Sequence, residues 1–365
     1  MEVKFNDLMN IYEKEIKINT KNRKKVYMFD KFKMENIVEI YDKLITDSYK
    51  KMKYNIFLIR NPKYRVVMSL NISDKIINHY ITRFILMPKL EKYLDIRNVA
   101  TRKDMGRDYG IKLVKKYIEK FKYRNNCYVL KLDISKYFYN IDHNVLKKLI
   151  KNDLTKEEYK LISMIIESTN CSYINNTINK LKDNELKYIE KRRQEVRDIP
   201  LYRYNKGLPI GNMSSQFLSI FYLHQLDHMI IHDYHLKYYV RYMDDILIFS
   251  DDREYLKEVL NKIVIILKNN YLLDVNKKKT FIVNIKDGFN FCGYRFRIIN
   301  NKTVINISSD TLKRVKDRVK EVKYQYELGI ITFKQAFSSI NTYYNGFKYG
   351  SRLKVRRIID TYFFG

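Results

Sequence analysis

Four prolines, ten glycines and three cysteines in 365 residues rule out several kinds of protein. So little Pro and Gly makes flexible linkers scarce, and each glycine is expected to mark a specific backbone need. Cys127, Cys171 and Cys292 stand far apart with no C-x-x-C pair, so neither a disulfide framework nor a cysteine zinc site is indicated. No stretch reaches the roughly 18 uninterrupted apolar residues of a membrane span. The segment Met1 to Asn10 carries alternating charges where a signal peptide would have its apolar centre. The expectation is a soluble, cytoplasmic chain without a membrane partner. Internal repeats and low-complexity tracts are also missing.

What is plentiful is positive charge: 71 Lys and Arg against 41 Asp and Glu give a net +30. The basic residues run along the whole chain and are not gathered beside an apolar anchor, which favours nucleic acid over a membrane surface as the polyanionic partner. The abundance of Lys, Asn, Ile and Tyr also fits an AT-rich coding sequence. With 45% apolar residues and this length, one main body with appended subdomains is expected.

Periodicity predicts helices over 36–51, 74–94 and from Tyr109 to Phe121, with a basic turn or short hairpin, ATRKDMGRDYG, at 100–110. Cys127 to Asp133, CYVLKLD, reads as a buried strand ending on an acid, and Asp142 as the start of a helix. Residues 170–200 are polar and charged, and read as a surface excursion. After GLPIGN (207–212) a helix runs from about Met213 to His232. YYVRYMDDILIF (238–249) fits two strands meeting at a turn near Met243 to Asp245. A helix capped by Asp252 follows, with Leu256, Val259, Leu260, Ile263 and Leu267 on one face. Strand material follows at 279–284 and 289–298. From Ser309 the period is helical, and Thr332 with Gln335 forms a capping-box signature. His224, His228 and His232 recur every fourth residue; without a cysteine or a fourth ligand nearby they read as a polar helix face.

Phosphoryl transfer needs carboxylates that hold hard divalent cations. An acid closes one central strand (Asp133) and two more occupy a hairpin turn (Asp244, Asp245), so converging strand ends would bring the three together. An Asp-Asp pair alone is usually a solvated turn, but apolar strands flank this one on both sides.

At these residues the sequence resembles the palm of reverse transcriptases, whose signature YxDD stands here as Tyr242, Met243, Asp244 and Asp245. KLDISKYFYNIDH (131–143), GLPIGNMSSQ (207–216), VNKKKT (275–280) and FNFCGYRF (289–296) resemble, in order, the first and second palm motifs, the lysine motif and the primer-grip hairpin. Tyr64 to Val67 and ATRKDMGR resemble the basic finger segments. The resemblance covers roughly residues 60–350. It implies an α+β right-hand polymerase: fingers with an N-terminal extension over 1–125, a palm over 126–300 with a finger-like insertion around 150–205, and a helical thumb over 301–365.

By the same resemblance, Asp133, Asp244 and Asp245 would be catalytic and, with Ile134, would hold two Mg2+ ions, with Mn2+ as a substitute. Arg65, Arg102, Lys103 and Lys279 would contact the triphosphate, and Phe138 would be the gate against a ribose 2′ hydroxyl. Gly207, Pro209, Ile210, Gly211, Gln216, Tyr242 and Met243 would complete the substrate site. Arg107, Cys292, Gly293, Tyr294, Lys313, Lys316, Lys320, Arg352 and Arg356 would meet nucleic acid, whereas Tyr343, Tyr344 and Phe347 read as thumb core. The implied partners are an RNA template, deoxynucleotides and a DNA product, with an accessory protein or self-association also open. The form IGNxxSQ resembles defence-associated and diversity-generating retroelement enzymes. An antiviral enzyme working with a noncoding RNA is the expected role. A diversity-generating enzyme, protein-primed or untemplated synthesis, and a non-catalytic RNA-binding maturase or scaffold are the alternatives.

Overall fold

The computed structural model describes residues 3–50, 52–61, 63–124 and 126–365, so Met1 and Glu2, at the start of the stretch read for a leader, lie outside it. The chain divides into two compact units. One comprises 1–101, 134–235 and 261–276; the other comprises 102–133, 236–260 and 277–365.

The first unit is mostly helical around one hairpin. β1 (Tyr54–Ile59) and β2 (Arg65–Leu70) pair antiparallel, from Tyr54 opposite Leu70 to Ile59 opposite Arg65. Alternate residues Val66, Met68 and Leu70 are buried, the period-2 pattern of a half-buried ribbon. The helix Lys33–Ile45 ends six residues earlier than its periodicity predicts, and Thr46 closes it through its amide and hydroxyl to the Asp42 carbonyl. The helix Ile72–Tyr80 is capped by Asn71, whose side chain accepts from the Asp74 amide.

The stretch read as a surface excursion is mostly exposed, as expected, and is built from the helix Ser172–Tyr188 and the short helix Arg193–Arg197. Ile174, Ile178 and Val196 are fully buried. The exception among its charged residues is Glu185, which is buried. That carboxylate takes the Arg60 guanidinium at 2.8 Å and the Tyr64 hydroxyl at 2.8 Å, clamping the β1–β2 hairpin.

The second unit holds two antiparallel sheets. β3 (Tyr128–Asp133), β4 (Tyr239–Tyr242), β5 (Asp245–Ser250) and β6 (Phe281–Asn284) form a four-stranded sheet in the order β4-β5-β3-β6. β7 (Phe289–Phe291), β8 (Tyr294–Ile299) and β9 (Lys302–Ile307) form a three-stranded meander. Val129, Leu130 and Leu132 of β3 and Ile246 to Ile248 of β5 are fully buried, as expected of central strands covered on both faces.

The helix Arg107–Phe121 starts at Gly106, so residues 101–104 form a turn and no hairpin. It lies against β4, its Tyr117 hydroxyl donating to the Tyr239 carbonyl at 3.2 Å and its Phe121 ring edge-on to Tyr238. Asp252 caps the following helix through the Tyr255 amide. After β9, the helices Ser309–Glu327, Phe333–Asn345 and Arg352–Ile359 bury Val315, Val319, Val322, Ala336, Ile340 and Val355. Thr332 and Gln335 make the capping box the sequence announces. Among the described residues, no helix is long and apolar enough to cross a membrane.

Candidate active site

The site is built at one end of the four-stranded sheet. β3 and β5 run antiparallel with Asp133 directly opposite Asp245, and Tyr242 of β4 is the partner of Asp245 on its other side. Met243 and Asp244 form the connecting turn. Met243 takes a φ of 58°, the left-handed backbone a two-residue hairpin turn requires. Its carbonyl accepts from the buried Arg241 guanidinium at 3.1 Å, which fixes the turn from within.

Two lysines neutralise these acids. Lys279 places its ammonium 3.3 Å from the Asp133 carboxylate. Lys131 lies 3.0 Å from each Asp245 oxygen and 2.7 Å from the Asn290 carbonyl. Only Oδ2 of Asp245 meets hydrogen-bond geometry, and buried Oδ1 accepts none. Burial first, with the charges of Asp244 and Asp133 adding to it, pushes the Asp245 carboxyl up to about 6 against the pull of Lys131. Three carboxylates thus share one corner and repel one another.

The β7–β8 hairpin is tied to this corner through its Asn290 carbonyl. Its two-residue turn is Cys292-Gly293, with φ of 49° and 86°, both in the left-handed region. Burial drives the Cys292 thiol well above its ordinary range, and the charge of Asp245 adds to the shift.

Residues 49–296, well over half of the chain, match the family described as reverse transcriptase (RNA-dependent DNA polymerase). The chain belongs to this family. Membership carries the right-hand polymerase fold, to which the mixed helices and antiparallel sheets conform. No curated protein matches the chain. A solved structure of apo telomerase from Candida tropicalis, truncated from its C-terminal domain, is similar at 15% identity and a TM-score of 0.46, covering 73% of this chain and 59% of its own. The chain therefore spans less than two thirds of that telomerase chain.

Reverse transcriptase domains generally use divalent metal ions, usually magnesium. The donor chemistry of this corner suits such an ion: hard carboxylate oxygens, one of them buried without a hydrogen bond, in mutual repulsion that a cation would relieve. Among the described residues, however, no three acid, imidazole or thiol groups are gathered as an ion would need. The ammonium groups of Lys131 and Lys279 sit on two of the three carboxylates instead. Ile134 is buried beside Asp133 in the chain and bridges Val275.

The remaining predicted residues fall into groups. In the first unit, the Gly207 amide donates to the Ile141 carbonyl and the Leu208 amide to the Phe138 carbonyl, so the second motif is stitched onto the residues after β3. The His143 imidazole and Thr169 hydroxyl donate to the Gly207 carbonyl at 2.8 and 3.0 Å. Burial lowers the His143 pKa, so the ring stays neutral. Ile210 accepts from the Met68 amide at 2.9 Å, which ties the loop to β2. Pro209 is buried, Gly211 and Gln216 are exposed, and Phe138 is half-buried. Arg65 is exposed at the start of β2.

In the second unit, Arg102 is half-buried and Lys103 is exposed. Arg107 donates to the Gly346 carbonyl at 2.7 Å and lies over the Tyr294 ring, while neighbouring Asp108 pairs with Lys348 at 2.6 Å. Tyr294 itself is fully buried against Phe347 and Tyr349, so its ring packs in the interior. Lys316 and Lys320 both stand over the Tyr362 ring. Lys313 is exposed, Arg352 donates to the Phe347 carbonyl, and Arg356 pairs loosely with Asp360. Phe347 is buried, whereas Tyr343 and Tyr344 are only half so. His224 is stacked on Phe221, and the His228 and His232 rings lie 4.4 Å apart. Lys131 is the residue of this corner that the sequence reading passed over. A lysine inside an otherwise apolar central strand was the available signal.

Proposed function

We propose that this chain is an active RNA-directed DNA polymerase, which adds deoxynucleotides to a 3′ hydroxyl on an RNA template with Asp133, Asp244 and Asp245 as its catalytic carboxylates. The observation that carries the reading is the cross-strand pairing of Asp133 with Asp245, with Asp244 in the adjoining turn. Magnesium held there, or manganese in its place, would activate the 3′ hydroxyl and neutralise charge on the leaving pyrophosphate. The protein's own share is alignment: the sheet fixes the acids, and Arg65, Arg102, Lys103 and Lys279 supply cations for a triphosphate. Phe138 is the proposed gate against ribonucleotides. Segments 1–125, 126–300 and 301–365 serve in this reading as fingers, palm and thumb.

The test is deoxynucleotide incorporation by purified protein with magnesium on primed RNA, on primed DNA and without template, each beside Asp244→Ala. Product on RNA that disappears in the variant is expected. Retained synthesis in the variant sinks the site assignment, and product without template shifts the reading to protein-primed synthesis. The stretch IGNMSSQ at 210–216 favours an antiviral role with a dedicated noncoding RNA. Sequencing RNA that copurifies with the protein tests this, and a template repeat beside a variable gene would favour diversity generation.

A further inference from the structure

Lys131 stands two residues before Asp133 on β3, so by strand periodicity the two side chains share a face. Its neighbours across the sheet are Leu247 on β5 and Phe281 on β6, and its side chain is only 12% exposed. An apolar residue would suit such a position, because a desolvated ammonium is costly unless it is paired and hydrogen-bonded. Here two of its three donors are engaged, on two different structures. The ammonium lies 3.0 Å from both oxygens of Asp245, the first residue of β5, and donates to the main-chain carbonyl of Asn290 in β7.

The Asn290 contact carries the argument. A lysine serving only as countercharge to Asp245 would gain nothing from a carbonyl in another sheet. Asn290 pairs with Arg295 within the hairpin whose turn is Cys292-Gly293. One side chain therefore joins β3, the carboxylate that opens β5 and the hairpin of the three-stranded meander. The other lysine of the corner, Lys279, is half exposed and donates long hydrogen bonds to the two Asp133 oxygens, at 3.4 and 3.3 Å, without a bond to another strand.

We propose that Lys131 is a positioning residue of the polymerase site, holding the Asp245 carboxylate and the β7–β8 hairpin in one fixed relation. This rests on the polymerase reading above. Lys131 touches no reacting atom; it sets where Asp245 stands relative to the hairpin that resembles a primer grip. Loss of the tie lets the carboxylate turn away while the sheet persists. A misplacement of about 1 Å among aligned reacting groups costs on the order of a hundredfold in rate.

The experiment compares wild type, Lys131→Gln and Lys131→Arg in three measurements: single-turnover deoxynucleotide addition, Mn2+ binding followed by electron paramagnetic resonance, and thermal unfolding. For K131Q, the expected result is a maximal rate lower by about tenfold to a hundredfold, with KM for deoxynucleotide within about twofold. Mn2+ binds K131Q at least as tightly as wild type, because a competing positive charge has left the carboxylates. K131R keeps the buried charge pair and the fold, and its differently shaped head gives an intermediate rate. A K131Q protein at the wild-type rate, or one whose lost rate matches its lost folded fraction, overturns the proposal. Should K131Q not fold, K131R decides: a reduced rate in fully folded protein supports the tie, and a wild-type rate overturns it. A wild-type protein that adds no nucleotide on any template counts against the polymerase reading itself, and Mn2+ binding still reports on the acidic corner.

Discussion

Asp133 and Asp245 face each other as partners across β3 and β5, one closing its strand and the other opening its own. Antiparallel pairing is what brings an acid from residue 133 beside one from residue 245, and it requires no loop to fold over either. Replacing Asp133 by Asn keeps the size and the strand pairing while removing the charge. Asp133→Asn and Asp244→Ala are each expected to lower deoxynucleotide incorporation by at least about a thousandfold. RNA affinity in a gel-shift titration should stay within about twofold, because the net charge of +30 is nearly unchanged. A variant that loses RNA binding in parallel with synthesis would show that these acids hold the fold.

Much of this corner could be read before any coordinates. Apolar strands on both sides of an Asp-Asp pair, a strand ending on Asp133 and the FNFCGYRF hairpin all depend on local patterns that tertiary packing did not override. Other elements were hidden for physical reasons. The β1–β2 hairpin is interrupted by Arg60, Lys63 and Arg65, so its alternation is short and charged. β9 reads KTVINI, whose β-branched Thr303, Val304, Ile305 and Ile307 favour a strand, but its partner is fixed only by pairing with β8. Glu185 was illegible because a charged residue in sequence is indistinguishable from a solvated one until its partner, 125 residues away, is known; for Lys131 the apolar strand around it was a signal, but its partner 114 residues away was not.

Glu185 offers a test of that hidden helix. Burial alone would raise its carboxyl, but hydrogen bonds from Arg60 and Tyr64 outweigh this and hold it below the usual range. Glu185→Ala removes both partners' anchor. Because Arg60 is itself largely exposed, the cost should be about 1–2 kcal/mol, less than for a fully buried pair. Hydrogen exchange should quicken across residues 54–70 while the four-stranded sheet keeps its protection. Unchanged exchange in the hairpin would mean that the insertion does not hold it.

The neutral His143 predicts a pH dependence. Its folded pKa lies below the unfolded value of about 6.5, so the unfolded chain binds more protons in that range. The stability owed to the neutral ring is complete above about pH 6.5 and is lost as pH falls from there through the folded pKa, at a slope of up to about 1.4 kcal/mol per pH unit. His143→Gln keeps a donor for the Gly207 carbonyl but does not titrate. Urea unfolding of both proteins between pH 5 and 8 should show a flatter profile for the variant. Parallel profiles would assign the acid sensitivity to other groups.

Gly207 and Gly106 separate two reasons for a glycine. Both have a left-handed φ, of 90° and 98°. A Cβ at Gly106 would meet nothing within 4 Å, so Gly106→Ala should cost only the backbone strain, about 1 kcal/mol. A Cβ at Gly207 would lie 2.7 Å from the Tyr202 ring and 3.1 Å from the Tyr139 carbonyl. Tyr202 is buried and donates its hydroxyl to the Leu208 carbonyl, so the ring has nowhere to retreat. Gly207→Ala should therefore cost about 3 kcal/mol, strain and overpacking together. It should also loosen the bonds from Gly207 and Leu208 to the Ile141 and Phe138 carbonyls, which carry the proposed gate. Denaturant midpoints measure the first effect, and the ratio of deoxynucleotide to ribonucleotide incorporation measures the second. Equal costs for the two alanine variants would show that φ alone, and not the approach of Tyr202, demands glycine at 207.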